Sequence, residues 1–464
     1  MAAVTAQSPP REIFRAYDIR GVLDRQLTGD MIRMIGRAIG TEALNRGDRI
    51  LMVGRDCRAS SPGLHEALIS GARSAGIDVV DLGVVSTPMV YFACCEWGPC
   101  AGAMITASHN PIEYNGVKVV FGGVSADSET IQELRRRILD GDLASGAGAL
   151  RQAKIQEHYR ARILSTIHLA RPLRLVVDCG NATLSELAPE LFSALGCQVI
   201  ALDCDAAAGM GERVPDPARP ACLRALATRV CAEGADLGLG FDGDGDRLGV
   251  IDAGGQFIAA DRVLMLLAAD VLARHPGTEV IFDIKCSRHL AAVVRRAGGQ
   301  PVLCRSGHAP LKARLRASSA QLAGELSGHI MFKDRWLGFD DALYAGARLV
   351  EVLTREQQSS DRVFAALPGG IATPELAIPC AEGAAERIMA RLLPLAAQLG
   401  NLEVLTLDGL RLESADAWGL VRSSNTLPQL VLRFEGDDHR ALAAMQARFR
   451  VLLERAAPGL PLPF

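Results

Sequence analysis

Runs of apolar residues closed by polar ones recur along the chain with helical patterns between them. Ile50-Leu51-Met52-Val53-Gly54 reads as a strand ending at Arg55-Asp56, and the pattern from Pro62 to Ala75 reads as a helix. The same grammar returns at Leu173 to Asp178 followed by Leu187 to Leu195, and at Glu279 to Asp283 followed by His289 to Ala297. Gly76, Gly196 and Gly298 stand where these helices should stop, because glycine accepts the left-handed backbone that ends many helices. A second strand follows each time, at Asp78-Val79-Val80, Gln198-Val199-Ile200 and Gln300-Pro301-Val302-Leu303, so the pattern predicts three βαβ units. After Pro368-Gly369-Gly370, a hinge, the order changes. A helix over 381–399, a strand over 402–407, an apolar strand over 429–434 and an amphipathic helix over 441–456 predict a smaller α+β domain. The resulting division is 1–153, 154–256, 257–368 and 369–464, in keeping with 464 residues at roughly 100 to 200 per domain.

Each unit leads through a further apolar strand into a small polar loop: Thr106-Ala107-Ser108-His109-Asn110-Pro111, Asp242-Gly243-Asp244-Gly245-Asp246-Arg247, and Gly324-Glu325-Leu326-Ser327-Gly328-His329. Ligands of open α/β sheets bind beyond the carboxyl ends of the strands, so three such loops can meet in one cleft. Composition narrows what they meet. Fifty basic and 53 acidic residues give a net charge of -3, and aromatics make up 5% of the chain, which speaks against nucleic acid or an anionic membrane as partner. The twelve cysteines are scattered without paired Cys-x-x-Cys spacing, which fits reduced thiols and argues against zinc. No signal-like or membrane-length apolar run is present, so a soluble cytoplasmic protein is the expectation.

Three carboxylates alternating with glycines repel one another unless a hard cation sits among them, and Mg²⁺ takes such oxygen ligands. Asp-Gly pairs also make ordinary turns, but these lie between two apolar strand-like runs, which favours the metal site. An EF-hand is excluded, since Arg247 and Ala253 occupy the positions that would need glycine and glutamate. Ser108 beside His109 is weak evidence alone; no Gly-x-Ser-x-Gly elbow surrounds it, and no nucleotide-binding Gly-x-x-x-x-Gly-Lys-Ser/Thr motif occurs. A phosphorylated serine near a divalent cation, however, is a coherent phosphoryl-transfer device. Glu325 and Ser327 suit vicinal sugar hydroxyls, or Glu325 caps a helix; Arg422-Ser423-Ser424-Asn425-Thr426 suits an anion cradle, or is a polar loop with a chance arginine.

Together and in this order, from Phe14-Arg15-Ala16-Tyr17-Asp18-Ile19-Arg20-Gly21 to Arg422-Ser423-Ser424-Asn425-Thr426, these segments resemble the α-D-phosphohexomutase superfamily, and within it the bacterial phosphomannomutase/phosphoglucomutase group. Phosphoglucosamine mutases resemble the chain less, since they typically carry glutamine where Leu326 stands. The resemblance implies three similar α/β domains with mixed sheets plus a smaller C-terminal α+β domain around a central cleft. It implies reversible phosphoryl transfer between the 1- and 6-positions of mannose and glucose phosphates, through phospho-Ser108 and a hexose 1,6-bisphosphate that is intermediate and activator. The alternatives are a phosphoglucosamine mutase or a non-catalytic sugar-phosphate binding protein. By the same resemblance Asp242, Asp244 and Asp246 hold Mg²⁺ with a phosphoserine oxygen of Ser108, and Arg247 orients phosphoserine and substrate. Glu325 and Ser327 hold sugar hydroxyls, while Arg422, Ser424, Asn425 and Thr426 form a distal phosphate clamp that Tyr17, Lys285 and His308 complete. Arg20, His109, Lys118 and His329 surround the reacting oxygen, with the base among them open. A monomer is expected. The sequence departs from the family pattern at Asn181-Ala182-Thr183 and at Ala342, where glycines are common.

Overall fold

The same four-strand kernel is assembled three times. In the computed structural model, which describes residues 9–98, 100–211, 215–396, 402–424 and 427–464, Ile50–Arg55 lies between Asp78–Val84 and Ala101–Ile105, parallel to both. The last of these turns antiparallel into Tyr114–Phe121. Arg174–Asp178 lies likewise between Gln198–Leu202 and Leu237–Phe241, with Leu248–Asp252 antiparallel to the latter. Glu279–Asp283 lies between Gln300–Cys304 and Leu322–Gly324, with Ile330–Phe332 closing the set. Parallel neighbours require long crossovers, which the helices Ser61–Ala75, Leu187–Ala194 and Arg288–Arg296 supply between first and second strands. The third-to-fourth connection needs only a reversal. Each of the three polar loops is that reversal, and so all three stand at corresponding places in their sheets.

The predicted helices end where the glycines stand. Gly76 (φ 102°) caps its helix directly, while Gly196 and Gly298 follow Leu195 and Ala297 by one residue. Additional strands extend the kernels: Ile19–Val22 and Leu150–Gln152 join the first sheet, and Phe257–Ile258 pairs with Leu248–Asp252. The second sheet thus continues two residues past the boundary drawn at 256.

The final sheet is different. Its strands Glu403–Leu405, Leu410–Glu413, Ala417–Ser423 and Gln429–Gly436 form an antiparallel meander, covered by the helices Ala384–Ala396 and His439–Ala456. It has its own apolar core around Leu412, Leu432, Phe434 and Phe449, whereas one apolar cluster runs through parts of all three α/β domains. The two middle strands, Leu410–Glu413 and Ala417–Ser423, are absent from the sequence pattern, and in the first a buried arginine interrupts it. Arg411 lies 3.9 Å from the centre of the Trp418 ring and donates to the carbonyls of Ile284 and Cys286 (2.8 Å to the latter). Arg433 reaches Asp261 at 3.0 Å. Charges at these positions fasten the last domain to the third, so they look polar along the chain yet are buried in the fold.

All twelve cysteines are free. Among the described residues no helix is long and apolar enough to cross a membrane.

Candidate active site

Ser108 and the aspartate loop meet across the first two domains. Ser108 is 2% exposed and takes a left-handed backbone (φ 51°), a conformation that costs an L-residue roughly 1 to 2 kcal/mol. Its hydroxyl donates to Asp242 Oδ2 at 2.6 Å and lies 3.1 Å from His109 Nδ1. Two glycines make the approach possible. A Cβ on Gly243 would sit 2.6 Å from the Ser108 carbonyl oxygen, and Gly245 has φ +76°. Asp242 Oδ1 accepts the backbone N–H groups of Asp246 and Arg247 at 3.0 and 3.1 Å, which curls the loop so that its carboxylates converge.

The carboxylates fit a hard divalent cation. Asp242, Asp244 and Asp246 are at most 1% exposed, and one oxygen from each lies within 4.8 Å of the others. Asp244 Oδ1 and Asp246 Oδ1 are buried with no hydrogen-bond partner among the described residues, a costly arrangement unless an ion uses them. Burial, and then the charges of Asp246 and Asp244, push the Asp242 carboxyl well above its ordinary range. Lys118 from Tyr114–Phe121 takes the other oxygens, donating to Asp244 Oδ2 at 2.6 Å and to Asp246 Oδ2. Burial by itself would lower the Lys118 pKa, but Asp244 and Asp246 outweigh it and keep the ammonium protonated. Thr87 donates its hydroxyl to Asp244 Oδ2 and its N–H to the Asp244 carbonyl (2.8 Å), a support with no signal in the sequence.

A line of imidazoles continues from the metal loop into the third domain. Arg247 Nε donates to His329 Nε2 at 3.0 Å, which leaves the proton on Nδ1, 3.0 Å from Asp340 Oδ2 and 3.7 Å from Asp246 Oδ1. His308 packs beside His329 at 5.4 Å between ring centres, and Tyr17 packs edge-on to His308 at 5.8 Å. Asp340 also takes Lys312 at 2.7 Å. Asp340 is one of the residues whose role the sequence reading missed, since nothing in its own segment sets it apart. His109 sits in the same positive field. Desolvation, then Arg247, Arg20 and Lys118, hold its imidazole well below the ordinary value and therefore neutral at pH 7. Arg20 is fixed by Asn110 Oδ1 at 2.6 Å and Asp18 Oδ2 at 2.5 Å.

The Glu325 loop is the tight turn of a β-hairpin rather than a helix start: Glu325 N–H bonds the His329 carbonyl at 2.8 Å, and Gly328 has φ +97°. The Gly328 carbonyl accepts from Leu248 N–H at 3.1 Å, so this loop and the strand leaving the aspartate loop are tied. Ser327 Oγ is buried without a partner among the described residues, and Glu325 is 3.8 Å from Lys285 Nζ. Lys285 is also 3.2 Å from Glu375 Oε2. In the last domain Arg422 Nε donates to Asp408 Oδ2 at 3.0 Å, and the same oxygen accepts Ser306 N–H at 2.9 Å, beside His308. Arg422 Nη2 is buried with no partner among the described residues. Ser424 Oγ accepts Leu427 N–H at 3.3 Å; Asn425 and Thr426 lie outside the described residues. Glu375 and Asp408, which pair with Lys285 and Arg422, had no distinguishing sequence signal.

Both departures from the family pattern are accommodated. Asn181 takes the positive φ (53°) itself, as asparagine does more readily than most residues, and Thr183 donates to the Gly243 carbonyl at 2.8 Å. Ala342 opens the helix Ala342–Leu353, and its N–H bonds the Gly245 carbonyl at 3.2 Å.

Three α/β domains and one α+β domain that each send a loop to a common cleft define a class of multidomain α/β enzymes whose site exists only between domains. Models of the phosphoglucomutase/phosphomannomutase α/β/α domains I, II and III match residues 11–145, 156–255 and 259–369, and the model of that family's C-terminal domain matches residues 375–451. The chain is 46% identical over 464 residues to a phosphomannomutase/phosphoglucomutase of Pseudomonas aeruginosa, covering 100% of both chains. It is 42% identical over 457 residues to a phosphoglucomutase of Neisseria gonorrhoeae, covering 98% of each. A crystal structure of a phosphoglucomutase/phosphomannomutase family protein from Burkholderia thailandensis superimposes with a TM-score of 0.92 at 45% identity, over 98% of this chain and 100% of that one. The chain belongs to the phosphoglucomutase/phosphomannomutase family.

Proposed function

We propose that this enzyme, an isomerase, transfers phosphate reversibly between the 1- and 6-positions of mannose and glucose phosphates, with Ser108 as the phosphoryl carrier. The observation that carries the reading is the buried Ser108 hydroxyl, 2.6 Å from Asp242 of another domain and beside carboxylate oxygens that have no hydrogen-bond partner among the described residues. Asp242, Asp244 and Asp246, with an oxygen of phospho-Ser108, would hold Mg²⁺, which supplies charge neutralisation at the transferring phosphate.

The residues of the chain do the rest. A free sugar hydroxyl attacks the phosphorus of phospho-Ser108; its oxygen–phosphorus bond forms as the bond to Ser108 Oγ breaks, and the hydroxyl proton passes through a base to the departing Ser108 oxygen. His109 is the base that the arrangement favours, because it is neutral while Lys118 is held charged. The product is a hexose 1,6-bisphosphate, which reverses in the cleft and returns its other phosphate to Ser108. The same bisphosphate restores an enzyme that has lost its phosphate. Glu325 and Ser327 grip sugar hydroxyls. Arg422, Lys285 and Ser424, with Asn425 and Thr426, hold the phosphate that is not reacting, in either orientation of the sugar. Arg247 and His329, bonded to each other, would orient phosphoserine and substrate around the reacting oxygen.

Ser108→Ala is expected to abolish turnover while leaving sugar-phosphate affinity within about twofold, since only the covalent relay is lost. Intact mass and peptide mapping should find the resident phosphate on Ser108. Turnover in Ser108→Ala near that of the unaltered enzyme would refute the carrier. A coupled assay of mannose, glucose and glucosamine 1-phosphates decides among the sugars.

A further inference from the structure

Ser108 is tied by its backbone to a segment that makes no contact with the aspartate loop in the bonds described above. The turn between Ile50–Arg55 and Ser61–Ala75 carries Asp56 and Arg58, which are 0% and 4% exposed. Arg58 Nη2 donates to the carbonyls of Ser108 and Asn110 at 2.8 and 2.6 Å; Nη1 donates to those of Pro111 and Tyr114 at 2.9 and 3.3 Å. Four carbonyls of one loop therefore converge on a single guanidinium. Behind it, Asp56 Oδ2 lies 3.4 Å from Arg58 Nε, and Asp56 Oδ1 accepts the Arg58 N–H at 3.0 Å. Within the loop itself the Ser108 N–H donates to Thr106 Oγ1 at 2.9 Å. The C=O of Ser108 is thus anchored to Arg58, and its N–H to the neighbouring Thr106 hydroxyl.

We propose that Arg58 is a positioning residue for phosphoryl transfer, holding Ser108 in its left-handed conformation with the hydroxyl presented to Asp242. The inference rests on the reading of Ser108 as carrier. Arg58 spends its donors on main-chain oxygens, so it is not a substrate-binding residue; it acts through the loop. The planar fork is essential to this role, because it addresses two carbonyls from each terminal nitrogen. A lysine keeps the charge opposite Asp56 but satisfies the carbonyls from one point, which lets the loop relax and Ser108 drift.

The test uses the full-length enzyme phosphorylated with radioactive phosphate, and the variants Arg58→Lys and Arg58→Gln. Single-turnover transfer to glucose 1-phosphate is expected to fall by roughly 10- to 100-fold, the scale of an ångström-sized misplacement of a reacting group. Affinity for glucose 1-phosphate should stay within about twofold, because the clamp lies in other domains, and loss of phosphate to water should gain relative to transfer. Arg58→Lys should be the milder variant, and it decides the matter if Arg58→Gln does not fold. Transfer at the unaltered rate in Arg58→Lys, or a fall that disappears when rates are normalised to folded phosphoenzyme, overturns the proposal. Phosphate mapped to a residue other than Ser108 refutes the carrier itself; phosphate on Ser108 with unchanged transfer refutes only the role of Arg58.

Discussion

Arg422 shows how a single side chain can be held ready and still be free to work. Asp408 fixes its Nε, whereas Nη2 is buried without a protein partner among the described residues. A phosphate oxygen there would complete the fork. Arg422→Ala is expected to weaken sugar-phosphate binding by about 1.5 to 3 kcal/mol, the range for a lost charge-assisted bond; calorimetric titration of the Ser108→Ala protein measures this without turnover, and unchanged affinity would remove Arg422 from the clamp. The aspartates make the complementary case. Two of their oxygens have no hydrogen-bond partner among the described residues, and burial, then the neighbouring aspartate charges, raises the Asp242 carboxyl. Chelation should stop turnover and Mg²⁺ should restore it. Full activity after exhaustive chelation would show that the loop needs no ion.

At the scale of elements, the reversal between third and fourth strand is what the three α/β domains share, and its geometry is exacting. Gly243 passes so close to Ser108 that a Cβ would lie 2.6 Å from the serine carbonyl oxygen. Gly243→Ala must therefore push the serine and aspartate loops apart, and turnover is expected to fall roughly 100-fold with little change in circular dichroism. Retained turnover would mean that the two loops can separate without harm. These kernels were legible along the chain because a buried strand, a helix ended by glycine and a second buried strand are each local patterns. The strand Leu410–Glu413 was not, because Arg411 is stabilised by the Trp418 ring of the neighbouring strand and by carbonyls of another domain. Hydrophobic patterning counts such an arginine as surface.

Across the whole molecule, buried charged groups join the domains and make its stability depend on pH. Asp341, which caps the helix Ala342–Leu353, accepts Tyr159 Oη from the second domain at 2.7 Å and Trp336 Nε1 at 3.2 Å. Burial nevertheless pushes its carboxyl up from the ordinary 3.8 to about 7. Between those values the folded chain binds more protons at Asp341 than the unfolded chain does. Its contribution to stability is therefore fully present below about pH 4 and is lost as pH rises through about 7. Asp341→Asn should flatten that part of the melting temperature profile between about pH 5 and 8, as followed by calorimetry. A profile that keeps its slope would show that other groups set it.

Strand and helix periods, the chemistry of each loop and the family to which they point are carried by residues near one another in the chain, so they could be read there. The three aspartates stood out through residue type and setting, whereas Ser108, Glu325 and Arg422 were singled out by the family resemblance. What Asp340, Thr87, Asp408 and Arg58 do could not be read that way. Each is an ordinary residue in its own segment, and each acquires its role by bonding across a gap in sequence: Asp340 to His329 and Lys312, Thr87 to Asp244, Asp408 to Ser306 and Arg422, Arg58 to the carbonyls around Ser108. Hydrogen bonds and ion pairs act over a few ångströms whatever the chain distance between partners. Only the packing of the domains decides which of them meet.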